Sequence, residues 1–221
     1  MSWSSGKDSA WALHCLRTSA EVDVVGLLTT INRDAGRVSM HAVREDLLDA
    51  QAEALGLPVT KVRIPEKCVN ADYESAMAAA LDQARCDGVT AVAFGDLFLE
   101  DVRRYREERM APTGMTPLFP LWGRDTTKLA REMVDAGVRA HVTCIDPRQI
   151  DASFAGRTFE AALLADLPEG VDPCGERGEF HTFAYAGPMF SRPIAIEPGV
   201  VLERDGFVFA DIRRAGSPEK S

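Results

Sequence analysis

The chain has 221 residues, 46% of them hydrophobic and 27% charged, and 25 Lys plus Arg against 34 Asp plus Glu give a formal net charge of −9. That length can bury a sizeable core as one α/β domain with an appendage or as two small domains, while the acidic balance disfavours broad attachment to nucleic acid or to anionic membrane. No apolar run approaches the roughly 20 residues that span a bilayer and no signal core opens the chain, so a cytoplasmic location without a membrane partner is expected.

From the N-terminus, Met1 to Trp3 form a stub of strand, shorter than the usual strand of about five residues. It runs through the small-residue turn Ser4-Ser5-Gly6 into a helix with Ala10, Trp11, Ala12, Leu13 and Leu16 on its apolar side, ending near Thr18. Val22 to Ile31 is a nearly continuous apolar run, as in a strand buried on both faces. Ala42 to Leu55 has helical spacing at Val43, Leu47, Leu48, Ala52 and Leu55, with Gly56 as its stop. Val59 to Ile64 reads as a strand and Ala71 to Arg85 as a helix closed by Gly88. Val89 to Phe94 is the next strand, Leu97 to Met110 a charged helix, Thr126 to Ala136 a helix closed by Gly137, and Arg139 to Ile145 a strand.

This alternation predicts βαβ units and a parallel sheet, hence the α/β class. After about Asp146 turn chemistry becomes denser, and Ile194 to Leu202 with Phe207 to Ile212 predict a hairpin through Arg204-Asp205-Gly206. The expected organisation is a nucleotide-binding domain over 1–146 and a smaller mixed α+β region over 147–221, with a loose tail from Ala215 to Ser221. The five cysteines, Cys15, Cys68, Cys86, Cys144 and Cys174, are scattered without a Cys-x-x-Cys pair and read as reduced thiols rather than a zinc site.

Two segments concentrate chemistry. In Ser4-Ser5-Gly6-Lys7-Asp8-Ser9 the small residues let the backbone close around an anion at the start of a helix, and Lys7 and the serines add donors. A carboxylate beside a phosphate is repelled unless a divalent cation intervenes, so Asp8 points to a magnesium nucleotide. The segment is not a Walker A loop, because Asp8 follows Gly6-Lys7 and no glycine precedes Gly6.

The second segment, Asp172 to Thr182, holds Glu176, Glu179, His181, Cys174 and Asp172 around the glycines Gly175 and Gly178. It reads either as a binding loop or as a solvated acidic turn entering a strand. Arg103, Arg104, Arg106 and Arg109, interleaved with acids, read as a solvated helix with i,i+4 ion pairs or as a lid or acceptor contact. His14 and His41 have no assigned role.

The first loop resembles the Ser-Gly-Gly-x-Asp-Ser signature of the PP-loop ATP pyrophosphatases, with Ser5 replacing one glycine. Together with Phe94-Gly95-Asp96, Pro120-Leu121-Trp122, Gly175 to Thr182 and Tyr185 to Phe190, it makes almost the whole chain resemble the diphthine–ammonia ligase family. That resemblance implies a Rossmann-like fold of the adenine nucleotide alpha-hydrolase type, the HUP class, with five parallel strands between helices and a C-terminal substrate region. It implies binding of ATP by Ser4, Ser5, Gly6, Lys7, Asp8, Ser9, Gly95 and Asp96, with Mg2+ on Asp8. Glu176, Gly178, Glu179 and His181 are then the substrate and catalytic residues.

The activity implied is adenylation of an acceptor carboxylate with release of pyrophosphate, followed by attack of ammonia drawn from ammonium and departure of AMP. The alanine- and arginine-rich style resembles bacterial sequences, in which an acceptor other than diphthine is expected, and homo-oligomerisation stays open. The alternatives are a PP-loop sulfur transferase acting on RNA through Cys174 and a nonenzymatic adenine nucleotide sensor. Lys7, Asp8 and Ser9 beside a second polar loop favour catalysis over sensing.

Overall fold

The computed structural model describes residues 1–33, 36–38, 43–65 and 70–216. His41, Cys68, the predicted helix start at Ala42 and the tail beyond 216 lie outside them. Helix α1 (Lys7–Ser19) is followed by β1 (Leu27–Asn32), β2 (Arg37–Val38), α2 (Glu45–Leu55), β3 (Val59–Ile64), α3 (Asn70–Cys86), β4 (Ala91–Ala93), α4 (Glu100–Met110) and β5 (Thr116–Leu118). Next come α5 (Thr126–Asp135), β6 (Arg139–Ile145), β7 (Thr158–Phe159), α6 (Ala161–Asp166), β8 (Phe180–Ala186), β9 (Ile196–Arg204) and β10 (Phe207–Arg214).

The strand–helix alternation folds as two parallel crossovers. β1 and β3 pair from Leu27 opposite Val59 to Asn32 opposite Ile64, with α2 between them in sequence. β4 and β5 pair over three residues each, connected by α4. Between these pairs lies the N-terminal stub: Trp3 N donates to Leu28 O at 2.9 Å, and Ser2 N to Ala93 O at 2.9 Å.

The expected five-stranded parallel sheet is not formed as one regular ladder by the described residues. Parallel pairing is split between β1–β3 and β4–β5, and the largest sheet is antiparallel, in the order β7-β6-β10-β9 with β8 also on β6. The physical reason is brevity. Three residues make the stub a bridge rather than a strand, and β5 carries Pro117, which has no N–H to donate. The architecture is a mixed α/β fold, with the predicted hairpin present as β9–β10 and Arg204 opposite Phe207.

One apolar core joins the β1–β3 sheet to the antiparallel sheet. Leu13 of α1, Ile31 of β1, Leu47 and Leu48 of α2, Met133 of α5 and Phe183 of β8 are fully buried in it, and each such side chain contributes about 1.5–3 kcal/mol. A smaller cluster of Leu81, Val92, Phe94, Met110 and Met115 lies beneath α3 and α4. Arg37 and Arg44 clamp Asp211 of β10 at 2.7 and 2.6 Å, tying the N-terminal region to the hairpin. Among the described residues no helix is long and apolar enough to cross a membrane.

Candidate functional site

Helix α1 starts at the edge of the short stub, and its first turn is shaped by the turn before it. Gly6 N donates to Ser4 Oγ at 3.2 Å, Ser9 Oγ to Gly6 O at 3.0 Å, and the Ser4 and Ser9 hydroxyls lie 3.1 Å apart. Ser5, the residue standing where the signature has glycine, takes φ +70°, a left-handed conformation that favours glycine. It is fully buried, and among the described residues its hydroxyl has no partner. Its carbonyl accepts from Ala184 N and from Gln51 Nε2, both at 2.9 Å.

Gln51 is a residue the sequence reading missed. Its side chain is fully buried on α2, where it also donates to Ala184 O at 2.7 Å and accepts from Trp3 Nε1 at 2.9 Å. One amide thus joins the stub, the turn and β8. The signal was present in the spacing, since Gln51 follows Leu47 by four and Leu48 by three and precedes Leu55 by four, which puts it on the apolar face.

Gly95 packs against the same first turn. A Cβ there would lie 3.0 Å from Ser9 N, so the side chain is excluded by the helix backbone. Asp96 follows with its carboxylate 3.4 Å from Arg106 Nε on α4, and the Arg106 guanidinium lies 5.0 Å from the centre of the Phe94 ring.

Lys7 points inward. With 1% of its side chain exposed, its ammonium donates to both Asp8 oxygens, at 3.1 and 2.9 Å, and to the carbonyl of Cys174. Burial alone would lower its pKa, but its anionic neighbours, Asp8 first, outweigh this and hold it above the ordinary lysine value. The Lys7 backbone N–H donates to Thr182 Oγ1 at 3.2 Å.

The acidic loop between α6 and β8 is folded by its own carboxylates. Asp172 accepts from Glu176 N at 2.8 Å, and Glu179 accepts from Asp172 N and Arg177 N, each at 2.9 Å. Gly175 sits at φ +70°, and a Cβ on it would lie 2.7 Å from Phe180 O. Glu179 is therefore buried beneath the loop, not among the residues on the cleft wall.

Glu176 takes the outward place. One oxygen accepts from Leu97 N at 2.8 Å. Burial, opposed by that N–H and reinforced by the Asp8 and Asp96 charges, pushes its pKa up to about 7. The Cys174 thiol is buried 3.5 Å from Thr126 O, and burial raises its pKa well above the ordinary thiol range.

These parts surround one cleft of about 1140 Å³. Ser4, Lys7, Asp8, Ser9, Gly95 and Asp96 line it together with Glu176, Gly178 and His181, whereas Ser5 and Gly6 are buried and off its wall. Arg106 and Arg109 also face it, whereas Arg103 is paired along its own helix with Glu107 at 2.8 Å. Among the described residues no three His, Cys, Asp or Glu converge as a cation cage. Magnesium needs only one or two carboxylates when phosphates and water complete its shell; of the carboxylates on the wall, Asp8 has 26% of its side chain exposed and both oxygens bonded to the Lys7 ammonium.

Fold and site together define a mixed α/β protein whose cleft joins a helix N-terminus to an acidic loop. A profile of the diphthamide synthase N-terminal domain matches residues 1–116, and one of the diphthamide synthase C-terminal domain matches residues 125–216. The chain belongs to the diphthamide synthase family. It is similar to the diphthine–ammonia ligase of Homo sapiens, 24% identical over 231 residues that cover 95% of this chain and 86% of that protein. The Danio rerio diphthine–ammonia ligase is 27% identical over 233 residues, covering 95% and 90%. That of Schizosaccharomyces pombe is 24% identical over 222 residues, covering 90% of this chain and 36% of its own length.

Proposed function

We propose that this chain is an ATP-dependent ligase that activates an acceptor carboxylate as its adenylate and passes the acyl group to ammonia. The observation that carries this reading is convergence. The Ser4–Ser9 turn and Glu176, some 170 residues apart, meet on one cleft with the Glu176 carboxylate locked by Leu97 N–H. The relatives are named diphthine–ammonia ligases, and the proposal takes ammonia as the nitrogen donor and a carboxylate as the acceptor.

A carboxylate resists ammonia because its oxygen is a poor leaving group. In the proposed sequence the acceptor oxygen attacks the α-phosphorus of ATP, the α–β bridging bond breaks, and pyrophosphate departs with the electron pair. Ammonia then attacks the acyl carbon, a C–N bond forms, and AMP leaves. The positive end of α1 and the Ser4 and Ser9 hydroxyls position the phosphates, the Gly6 and Lys7 N–H groups being held by Ser4 Oγ and Thr182 Oγ1. Magnesium, when bound beside Asp8, supplies charge neutralisation on the phosphate oxygens.

Glu176 binds the incoming ammonium and takes a proton from its nitrogen. A carboxyl with a pKa of about 7 is matched to that task near neutral pH. Glu179, committed to Asp172 N and Arg177 N, shapes the loop that presents Glu176. The sulfur-carrier alternative needs an exposed, acidified thiol, and Cys174 is the reverse.

The test is product analysis with ATP, magnesium, ¹⁵N-ammonium and a panel of carboxylates including diphthine. The expected result is AMP and pyrophosphate in equal amounts with ¹⁵N in the acceptor product. ADP as the sole nucleotide product refutes the reading.

A further inference from the structure

The first loop's own cation is spent. Lys7 is buried and shared between the Asp8 carboxylate and the Cys174 carbonyl, so its charge is balanced before any ligand arrives. The cleft is lined by six carboxylate side chains against three cationic ones, Lys7, Arg106 and Arg109. A polyphosphate entering this surface meets an excess of negative charge. It therefore depends on whichever cation in the cleft can be released to it.

The two arginines differ in how firmly they are held. Arg109 is closed in a short ion pair onto Glu74, which braces α4 against α3. Arg106 is looser: its single ion-pair contact among the described residues, to Asp96, is 3.4 Å long through Nε, and 30% of its side chain is exposed. Its guanidinium lies over Phe94, which fixes the plane while leaving the edge able to present paired N–H donors. Asp96 follows Gly95, where an added Cβ would lie 3.0 Å from Ser9 N, so the backbone carrying this arginine's partner runs against the first turn of α1, and Arg106 lines the same cleft as Ser4, Lys7 and Ser9.

We infer that Arg106 binds the pyrophosphate end of ATP, exchanging its Asp96 partner for phosphate oxygens. This deepens the ligase reading and rests on it for the identity of the ligand. The pyrophosphate portion carries most of the negative charge of ATP, and it is the fragment whose charge grows when the α–β bond breaks. A planar, permanently charged guanidinium held by one long bond can follow that charge without breaking a core contact. Asp96 is then the internal competitor that holds Arg106 when the cleft has no anion in it.

The experiment measures binding of magnesium–ATP, magnesium–pyrophosphate and AMP by calorimetry to the parent, Arg106→Gln, Arg106→Lys, Asp96→Asn and Arg103→Gln, with a melting curve for each. Arg106→Gln is expected to weaken ATP and pyrophosphate about 10- to 100-fold, the scale of a charge-assisted hydrogen bond, and to leave AMP within about twofold. Arg106→Lys recovers part of the loss. Asp96→Asn, by freeing Arg106, tightens pyrophosphate a few-fold, a sign that a merely structural role for the pair does not give. Arg103→Gln leaves all three ligands unchanged.

Unchanged pyrophosphate binding in Arg106→Gln, or weakened pyrophosphate binding in a folded Asp96→Asn, overturns the inference. A parent that binds pyrophosphate through Arg106 but not ATP overturns the ligase reading while the Arg106 assignment stands. A parent that binds neither overturns both.

Discussion

Replacing Gln51 tests whether the turn before α1 is held by one buried amide. The side chain is fully buried and makes three hydrogen bonds of 2.7–2.9 Å, to Trp3 Nε1, Ser5 O and Ala184 O. Gln51→Leu keeps most of the volume and removes all three. Ser5 O retains Ala184 N, but the Trp3 indole N–H, on a residue 2% exposed, loses the acceptor it has now. A stranded buried donor costs about 1–3 kcal/mol, and each further net bond lost costs about 0.5–1.5. The expected destabilisation is therefore about 2–6 kcal/mol, a large share of the roughly 5–15 kcal/mol that holds a domain folded.

The assay is urea denaturation, with a lowered midpoint and an unchanged slope as the expected result. Gln51→Glu supplies the sign. It keeps an acceptor for Trp3 but turns a second oxygen toward two carbonyls, so the native state favours the protonated acid and its pKa rises above the unfolded value near 4.3. A raised native pKa means that the native state binds more protons, so this variant loses stability relative to the parent as pH climbs from about 4.3 through the raised value. A Gln51→Leu protein within about 0.5 kcal/mol of the parent, or a Gln51→Glu protein whose deficit ignores pH, refutes the keystone assignment.

Ser5→Gly is expected to stabilise the protein by about 1 kcal/mol, because relief of a left-handed serine outweighs the added freedom of the unfolded chain; a thermal melt at or below the parent's contradicts this. Glu176→Gln isolates one titration. With the Glu176 pKa raised from 4.5 to about 7 in the native state, its contribution is fully present below about 4.5 and falls by about 3 kcal/mol as pH rises past 7. The stability difference between variant and parent should shift by that amount over this window, and a flat difference shows that the carboxyl titrates normally. Cys174→Ser should retain AMP formation on any acceptor that the parent uses, whereas complete loss in a folded variant would restore the sulfur-carrier alternative.

Long elements were legible because their signals are redundant. β3 and β6 fall at the residues expected from their apolar runs, and α2 ends at Leu55 before Gly56, whose φ of +66° explains the stop. β5 escaped because three residues including a proline carry no period, and the strand expected over Val22 to Ile31 begins at Leu27. In the site, residue type was readable but direction was not. Lys7 reads as a side-chain donor to a phosphate in the loop, yet it is buried and bonded to Cys174 O. Glu176 and Glu179 are indistinguishable by composition. Which one reaches the cleft is decided by backbone N–H groups at Asp172, Arg177 and Leu97 that no local pattern announces.

Those bonds also say why neither motif is a site by itself. The Ser4–Ser9 turn receives Thr182 at the Lys7 N–H, Cys174 at the Lys7 ammonium and Ala184 at the Ser5 carbonyl, all from beyond residue 170. In the other direction Leu97, in the connection between β4 and α4, orients Glu176. β6, which ends at Ile145, is the strand on which β7, β8 and β10 all pair, so the C-terminal loop is hung from an element that precedes it in the chain. The two loops are therefore joined by single hydrogen bonds of known partners. The Lys7–Asp8 pair lies where the two meet, and neutralising Lys7 would leave the Asp8 carboxylate half-buried beside Asp172 and Glu176, a cost borne by the fold before any ligand is considered. Loss of nucleotide binding in a Lys7 variant is consequently weak evidence for a phosphate contact, whereas loss in an Arg106 variant, whose side chain is partly exposed and held by one long bond, bears on the ligand directly.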